Sequence, residues 1–496
     1  MKLQKLLIQW ILNPLGSKMA AVPQKCRTVG FYLGGAGLFF IYFVHGMEFL
    51  NIRYFIPFFL GCLFMGLMLL CTLPKTLHPL RFSPVLSICW FGAGFMILQA
   101  AFRLNSDIFS DALMFLVVYP LAWLIWGQGN FSKIAHMLCQ LCRWAFVVFF
   151  VISFLFFPIS SAQYSGLIYN VNGTAFFLSL VLVCLTAELW QREKMDAAFW
   201  RDLVLIGLAG ALMFCTNSRT GELAVLCAWL FGGILYLIKN KKNLGRTLVS
   251  RILPIAASVA ILIPVTVYAG AAIRPVSQTL AEAAYTTAEK IIGAENMTKR
   301  DPKHDSGDSP AEKIIGAENM PKRDPKHDSG DSPDGLSGFI HITEIKGSTE
   351  HKGLDAYSTG RISIWKVFAE HTKLFGTEPP FSYYVSINDK YYPTAHNTPL
   401  ELAINSGWIC GVLYFLFNIL AGLKSIRYAA AKRSDIYALL LFMITIAFGV
   451  CSMLGSLNTP YCYMLSLYYF LFQAPMMTAP AQQLPSESTS ENGETL

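Results

Sequence analysis

Twelve stretches of about twenty residues, each almost unbroken in apolar side chains, constrain this chain more than anything else in it. They cover roughly 28–46, 54–73, 83–102, 108–127, 137–157, 173–190, 203–217, 221–238, 252–271, 399–423, 436–455 and 461–477. A run of that length matches the hydrocarbon thickness of a bilayer, and in lipid a backbone satisfies its own polar groups as a helix. The whole chain of 496 residues is 54% hydrophobic and only 14% charged, which excludes a soluble fold of this size. The expected fold is an all-α integral membrane protein with about twelve transmembrane helices and a large extracytoplasmic loop between the ninth and tenth.

The loops carry an asymmetric charge. Twenty Lys and Arg fall on one side, among them Lys2, Lys25, Lys75, Arg192, Lys241, Arg246, Lys424 and Arg433. The alternate short loops hold only Arg53, Arg103 and Arg219. The positive-inside rule then places both termini in the cytoplasm and 272–398 outside. The net charge of +8 is accounted for by this bias, with no nucleic-acid partner. Residues 1–27 read as an interfacial segment, with Leu3, Leu6, Leu7, Trp10 and Ile11 on one helical face. The expected division is therefore 1–27, helices one to nine over 28–271, the loop 272–398, helices ten to twelve over 399–477, and a disordered acidic tail at 478–496. All twelve cysteines lie outside the large loop, so no disulfide framework stabilises it. Cys139 and Cys142 have the spacing of metal ligands but lie at the start of an apolar span without partners, and they read as structural.

Within the loop, residues 288–310 recur at 311–333 with a single change, Thr298 to Pro321. Each copy is rich in charge, Gly and Pro and has no aromatic residue, so it is expected to stay disordered and to be dispensable for chemistry. Residues 337–398 differ. They show helical periodicity around Ile362–Phe375 and aromatics at Phe381, Tyr383, Tyr384, Tyr391 and Tyr392, and are expected to form a folded cap.

Four polar segments face that same side. They are Asn170-Val-Asn172-Gly173, Ser218-Arg219, Gly360-Arg361 with Trp365, and His396-Asn397 with Gly407 after nine intervening residues. His396 sits where the loop ends and an apolar helix begins. Its side chain exchanges a proton near neutral pH, and its place at the lip of a bilayer gives it reach to a lipid-borne and a water-borne reactant. Arg219 is a cation on a membrane face that otherwise avoids cations. Taken singly, each of these residues also fits a bland role as a cap, a snorkelling side chain or a surface charge.

Together, in this order and on one side, the segments resemble the O-antigen ligase and polymerase superfamily of bacterial membrane glycosyltransferases over about residues 160–425. One departure stands out. The family usually has a second small residue at the position of Cys410, and here Gly411 comes one residue later. The resemblance implies transfer of a glycan from undecaprenyl pyrophosphate to a lipid, glycan or protein acceptor on the outer face of the cytoplasmic membrane. It casts His396 as the catalytic base, Arg219 and Arg361 as the pyrophosphate clamp, and Asn397, Ser218, Asn170, Asn172, Trp365 and Gly407 as supporting residues. No cofactor and no metal are expected, since arginine's planar fork can hold phosphate oxygens without one. The alternatives are a polysaccharide polymerase of the same superfamily, or a flippase or transporter of lipid-linked oligosaccharide. The last would want ionisable groups along a path through the spans, where Arg143 is the main candidate.

Overall fold

The computed structural model describes the chain apart from residues 1, 48–54, 105, 129–130, 158, 160–162, 169, 293–342, 348–360, 377–382, 388–389, 393, 433–434, 458–462 and 480–496. Among the described residues, ten helices are long and apolar enough to cross a membrane. In chain order the main helices are α1 (Gln24–Gly46), α2 (Phe55–Thr72), α3 (Pro84–Leu104), α4 (Ile108–Trp126), α5 (Phe131–Phe156), α6 (Val171–Gln191) and α7 (Ala197–Thr216). There follow α8 (Arg219–Lys239), α9 (Leu253–Ile292), α10 (Arg361–His371), α11 (Thr398–Ser406), α12 (Trp408–Ala431), α13 (Ile436–Leu454) and α14 (Met464–Phe472). Each of the twelve predicted spans falls on helix, and those at 54–73 and 461–477 are met by the shorter α2 and α14. The protein is an all-α, multi-pass membrane protein.

Helix α6 is the centre of the bundle. Every residue from Gly173 to Trp190 is buried, as expected of a helix that is apolar all round. Helices α5, α7, α8, α13 and α14 pack on it. The outer helices present large apolar side chains outward, such as Phe40 on α1, Ile88 and Phe102 on α3, and Leu226 on α8, which suits a hydrocarbon solvent. Close helix approach is set by small residues. A Cβ on Gly207 or Gly210 of α7 would run into Ser258 or Val259 of α9, and the Ser258 hydroxyl donates to the Leu203 carbonyl at 2.8 Å.

Two spans depart from expectation. The predicted helix 399–423 is broken into α11 and α12 at Gly407, whose φ of +99° with ψ of 157° suits only glycine. Helix α9 runs on for 40 residues, past the expected loop boundary and into the first residues of the repeat, with Pro264 and Pro275 inside it. The rest of the repeat, from 293, lies outside the described residues, as does the tail from 480.

Two small sheets complete the fold. Strand β1 (Arg81–Phe82) pairs antiparallel with β5 (Thr478–Ala479) at the end of the bundle away from His396. In the segment expected to form the cap, β2 (Thr343–Gly347) runs parallel to β3 (Tyr383–Ile387), which pairs antiparallel with β4 (Lys390–Tyr392).

At the end away from His396 the bundle holds a buried charge network. Arg143 of α5 donates to Glu188 at 3.3 Å and to Asp202 at 3.2 Å. Asp202 also accepts from Arg192 and Arg201 at 2.8–3.0 Å, and Glu188 accepts from the Tyr437 hydroxyl at 2.8 Å. Arg143 is thus a neutralised strut joining α5, α6 and α7.

Candidate functional site

The site is built where α6, α8, α10 and α11 end or begin on one side of the bundle. Asn170 caps α6, its Oδ1 accepting from the amides of Asn172 and Gly173 at 2.9 and 3.1 Å. The next turn reverses direction between α7 and α8. Asn217 takes a left-handed φ of +51°, a conformation asparagine tolerates, and Ser218 caps α8. The Ser218 hydroxyl donates to Asn172 Oδ1 at 2.9 Å, so the two motifs are tied together. This leaves Arg219, the first residue of α8, exposed at the bundle's end.

Helix α10 lies over α11 through a small apolar core separate from that of the bundle. Ile364, Val367 and Phe368 meet Ala395, Leu400 and Ile404 there, with Trp365 and Ala369 packed against them. The Trp365 indole donates to the Ala395 carbonyl at 2.8 Å, clasping the residue before His396. The same packing lays Arg361, at the start of α10, across the start of α8. Both of its terminal nitrogens donate to Thr220 Oγ1 at 3.3 Å. Burial first, and then the neighbouring Arg219 guanidinium, hold Arg361 below the ordinary arginine range. Two guanidinium groups held near each other repel, and an anion would relieve that cost.

His396 follows in a left-handed conformation with φ +50°. Its neighbours anchor it. Asn397 caps α11 by accepting from the Leu400 amide at 3.0 Å, and its Nδ2 donates to the Met453 carbonyl at 3.2 Å. The Thr398 hydroxyl donates to the Gly455 carbonyl and accepts from the Leu457 amide. Burial, with Arg361 as the second cause, lowers the His396 pKa to about 4, so the imidazole is neutral at neutral pH. Peptide-resolved labelling with diethyl pyrocarbonate, which needs the neutral ring, is expected to modify His396 almost as fast at pH 5.5 as at pH 7. A histidine of ordinary pKa would slow roughly eightfold over that interval, and such a fall would contradict the depressed value.

Gly407 has a positioning role that the structure makes explicit. Its backbone lies against the Leu374–Gly376 turn so closely that a Cβ would fall 2.3 Å from the Leu374 carbonyl oxygen, and the Trp408 amide donates to Lys373 O at 3.0 Å. The turn after α10 is thereby clasped into the α11–α12 break. Gly411 is the position at which α12 meets α11, its Cα facing Ala403 and the Pro399 carbonyl, while Cys410 points to Ala93 of α3. The displaced small residue therefore still makes a close helix contact.

The structure thus brings Arg219, Arg361 and His396 to one place, with Ser218, Asn172, Asn397, Trp365 and Gly407 holding the elements that carry them. Asn170 acts on α6 alone. One participant escaped the sequence motifs: Thr220, whose hydroxyl oxygen takes Arg361. Among the described residues no three His, Cys, Asp or Glu side chains are grouped as a metal site would need.

A helical bundle with apolar flanks and a pair of arginines beside a neutral imidazole at one end defines a multi-pass membrane protein with an anion-attracting polar site. Residues 203–415 match the model of the O-antigen ligase family, which supports the O-antigen ligase superfamily for this chain. The match takes in Ser218, Arg219, Arg361, Trp365, His396, Asn397 and Gly407 and begins after Asn170 and Asn172. It supports a membrane enzyme of O-antigen ligase or polymerase type. No curated protein and no solved structure matches the chain.

Proposed function

We propose that the protein transfers a glycan from undecaprenyl pyrophosphate to an acceptor at the outer face of the bacterial cytoplasmic membrane, without a metal. The observation that carries this is the convergence of Arg219 and Arg361 beside a neutral His396. In the transfer step the acceptor oxygen attacks the anomeric carbon of the glycan. The bond from that carbon to the phosphate oxygen breaks, and the pyrophosphate keeps the electron pair. The acceptor's proton passes to an imidazole nitrogen of His396. Arg219 and Arg361 stabilise the negative charge that grows on the leaving group.

Burial first, and then the Arg361 charge, lower the His396 pKa; an anion on the arginines would offset the second of these and move the imidazole toward the operating pH, where a general base is most effective. Helices α8 and α10 therefore link donor binding to the strength of the base. The neutralisation of Arg143 by Glu188 and Asp202 favours this enzyme over a transporter, which would want an unpaired ionisable path.

The test uses the full-length protein in liposomes with a glycan on undecaprenyl pyrophosphate, with and without EDTA. Release of undecaprenyl pyrophosphate coupled to acceptor glycosylation is expected in both arms. Chain extension of the donor glycan alone would make the protein a polymerase, and loss of transfer with EDTA would sink the metal-free mechanism. Replacing Arg361 or Arg219 by lysine keeps a charge but loses the two-pronged geometry. Losing one charge-assisted hydrogen bond should weaken donor binding by roughly 10–100-fold, the equivalent of about 1.5–3 kcal/mol. Unchanged donor affinity in both the lysine and alanine variants would remove the arginines from donor binding.

A further inference from the structure

We propose that the turn at 373–376, just after α10, is a membrane finger that seats in the headgroup layer of the leaflet on the His396 side and gathers anionic phospholipid there. The fold fixes the height of this turn. Two membrane spans end beside it: α3, whose apolar stretch closes at Arg103, and α12, which opens at Trp408. The turn is bonded to both. The Trp408 amide donates to the Lys373 carbonyl at 3.0 Å, and Arg103 Nη1 donates to the Phe375 carbonyl at 3.5 Å. A Cβ on Gly407 would fall 2.3 Å from Leu374 O and 2.7 Å from the Phe375 Cα, so the turn lies directly on the start of α12. The ends of spans mark the boundary between hydrocarbon and water, and the turn is held at that depth.

Its side chains suit that depth. Leu374 and Phe375 follow each other and are 56% and 53% exposed, and Phe102 near the end of α3 is exposed further still. In water such a cluster is an unfavourable apolar patch; at the bilayer surface the same side chains are buried among acyl chains. Trp408, partly exposed at the start of α12, is of the type that settles at headgroup level. Arg103 and Lys373 add two cations at the same height, where lipid phosphates are the anions present. Glu370, the acid closest before them on α10, faces Lys366 at 3.9 Å. Apolar side chains below and cations beside them match a phospholipid, acyl chain and phosphate together. Helix α10 is then held at both ends, by Arg361 on Thr220 and by its turn on the lipid. The seating of the turn does not depend on the transfer chemistry.

The experiment reconstitutes the full-length Phe375→Trp variant in liposomes and takes the difference in tryptophan emission from wild type. Phospholipid brominated on its acyl chains quenches from within the bilayer, and acrylamide quenches from water. The added tryptophan is expected to be quenched by the brominated lipid and shielded from acrylamide. At equal dilution, brominated phosphatidylglycerol should quench more than brominated phosphatidylcholine, since each basic side chain near the surface enriches anionic lipid by roughly fivefold. Arg103→Gln together with Lys373→Gln should bring the two lipids to the same quenching. Quenching by acrylamide without quenching by bromine overturns the proposal. So does protection from both, which would mean that another part of the protein covers the turn. Equal quenching by the two lipids with both cations present, or a preference that survives their loss, overturns the anionic selectivity. If Phe375→Trp does not insert, Leu374→Trp reports from the neighbouring position with the same readouts.

Discussion

Replacing His396 with alanine is expected to lower glycan transfer by about 10²–10⁴-fold while leaving insertion and abundance at wild-type levels. A positioned general base supplies an effect of that size, and no other titratable ring stands beside Arg361 among the described residues. The variant should still fold. The α11 cap is made by Asn397, the clasp on Ala395 is made by Trp365, and the core beneath is made of Ile364, Phe368 and Ile404, none of which needs the imidazole. Donor binding should persist as well, because Arg219 and Arg361 remain. Removal of the ring would lift the imidazole's contribution to kcat and leave KM for the donor nearly unchanged. Near-wild-type turnover by purified, reconstituted variant would exclude His396 from proton transfer.

Asp202→Ala should act at the other end of the bundle and in a different way. The carboxylate is fully buried and accepts from Arg143, Arg192 and Arg201, so its removal leaves three guanidinium groups facing one another with only Glu188 to balance Arg143. Breaking a buried ion pair from one side costs about 3–5 kcal/mol, and at an unfolding entropy of about 2.1 cal/mol/K per residue that corresponds to a fall of roughly 3–5 °C in melting temperature. The Lys366→Ala control breaks the exposed pair with Glu370, 3.9 Å apart, and should cost less than about 0.5 kcal/mol. Transfer per folded molecule, measured below the melting range, should stay near wild type in Asp202→Ala. A large loss of turnover with unchanged melting would mean that the network takes part in function rather than holding α5, α6 and α7 together.

What the sequence determined by itself is what depends on neighbours in the chain. Unbroken apolar runs such as 173–190 dictate helices whatever surrounds them, because in hydrocarbon only the helix satisfies its own backbone. The caps at Asn170, Ser218 and Asn397 lie within three residues of the amides they satisfy. The motifs on which the family likeness rests are likewise short, and each ends at a helix terminus. The tertiary structure decided the rest. Arg361 reaches Thr220 across 141 positions, and Asn397 reaches Met453 across 56. The helix break at Gly407 depends on a turn more than thirty residues earlier whose carbonyl leaves no room for a Cβ. Glu401 reads in sequence as a stray acid in an apolar helix; only the fold brings the Ser456 hydroxyl to its carboxyl. Local periodicity carries the spacing of side chains along a helix but holds no record of which helix end will meet which, and this site is made from such meetings.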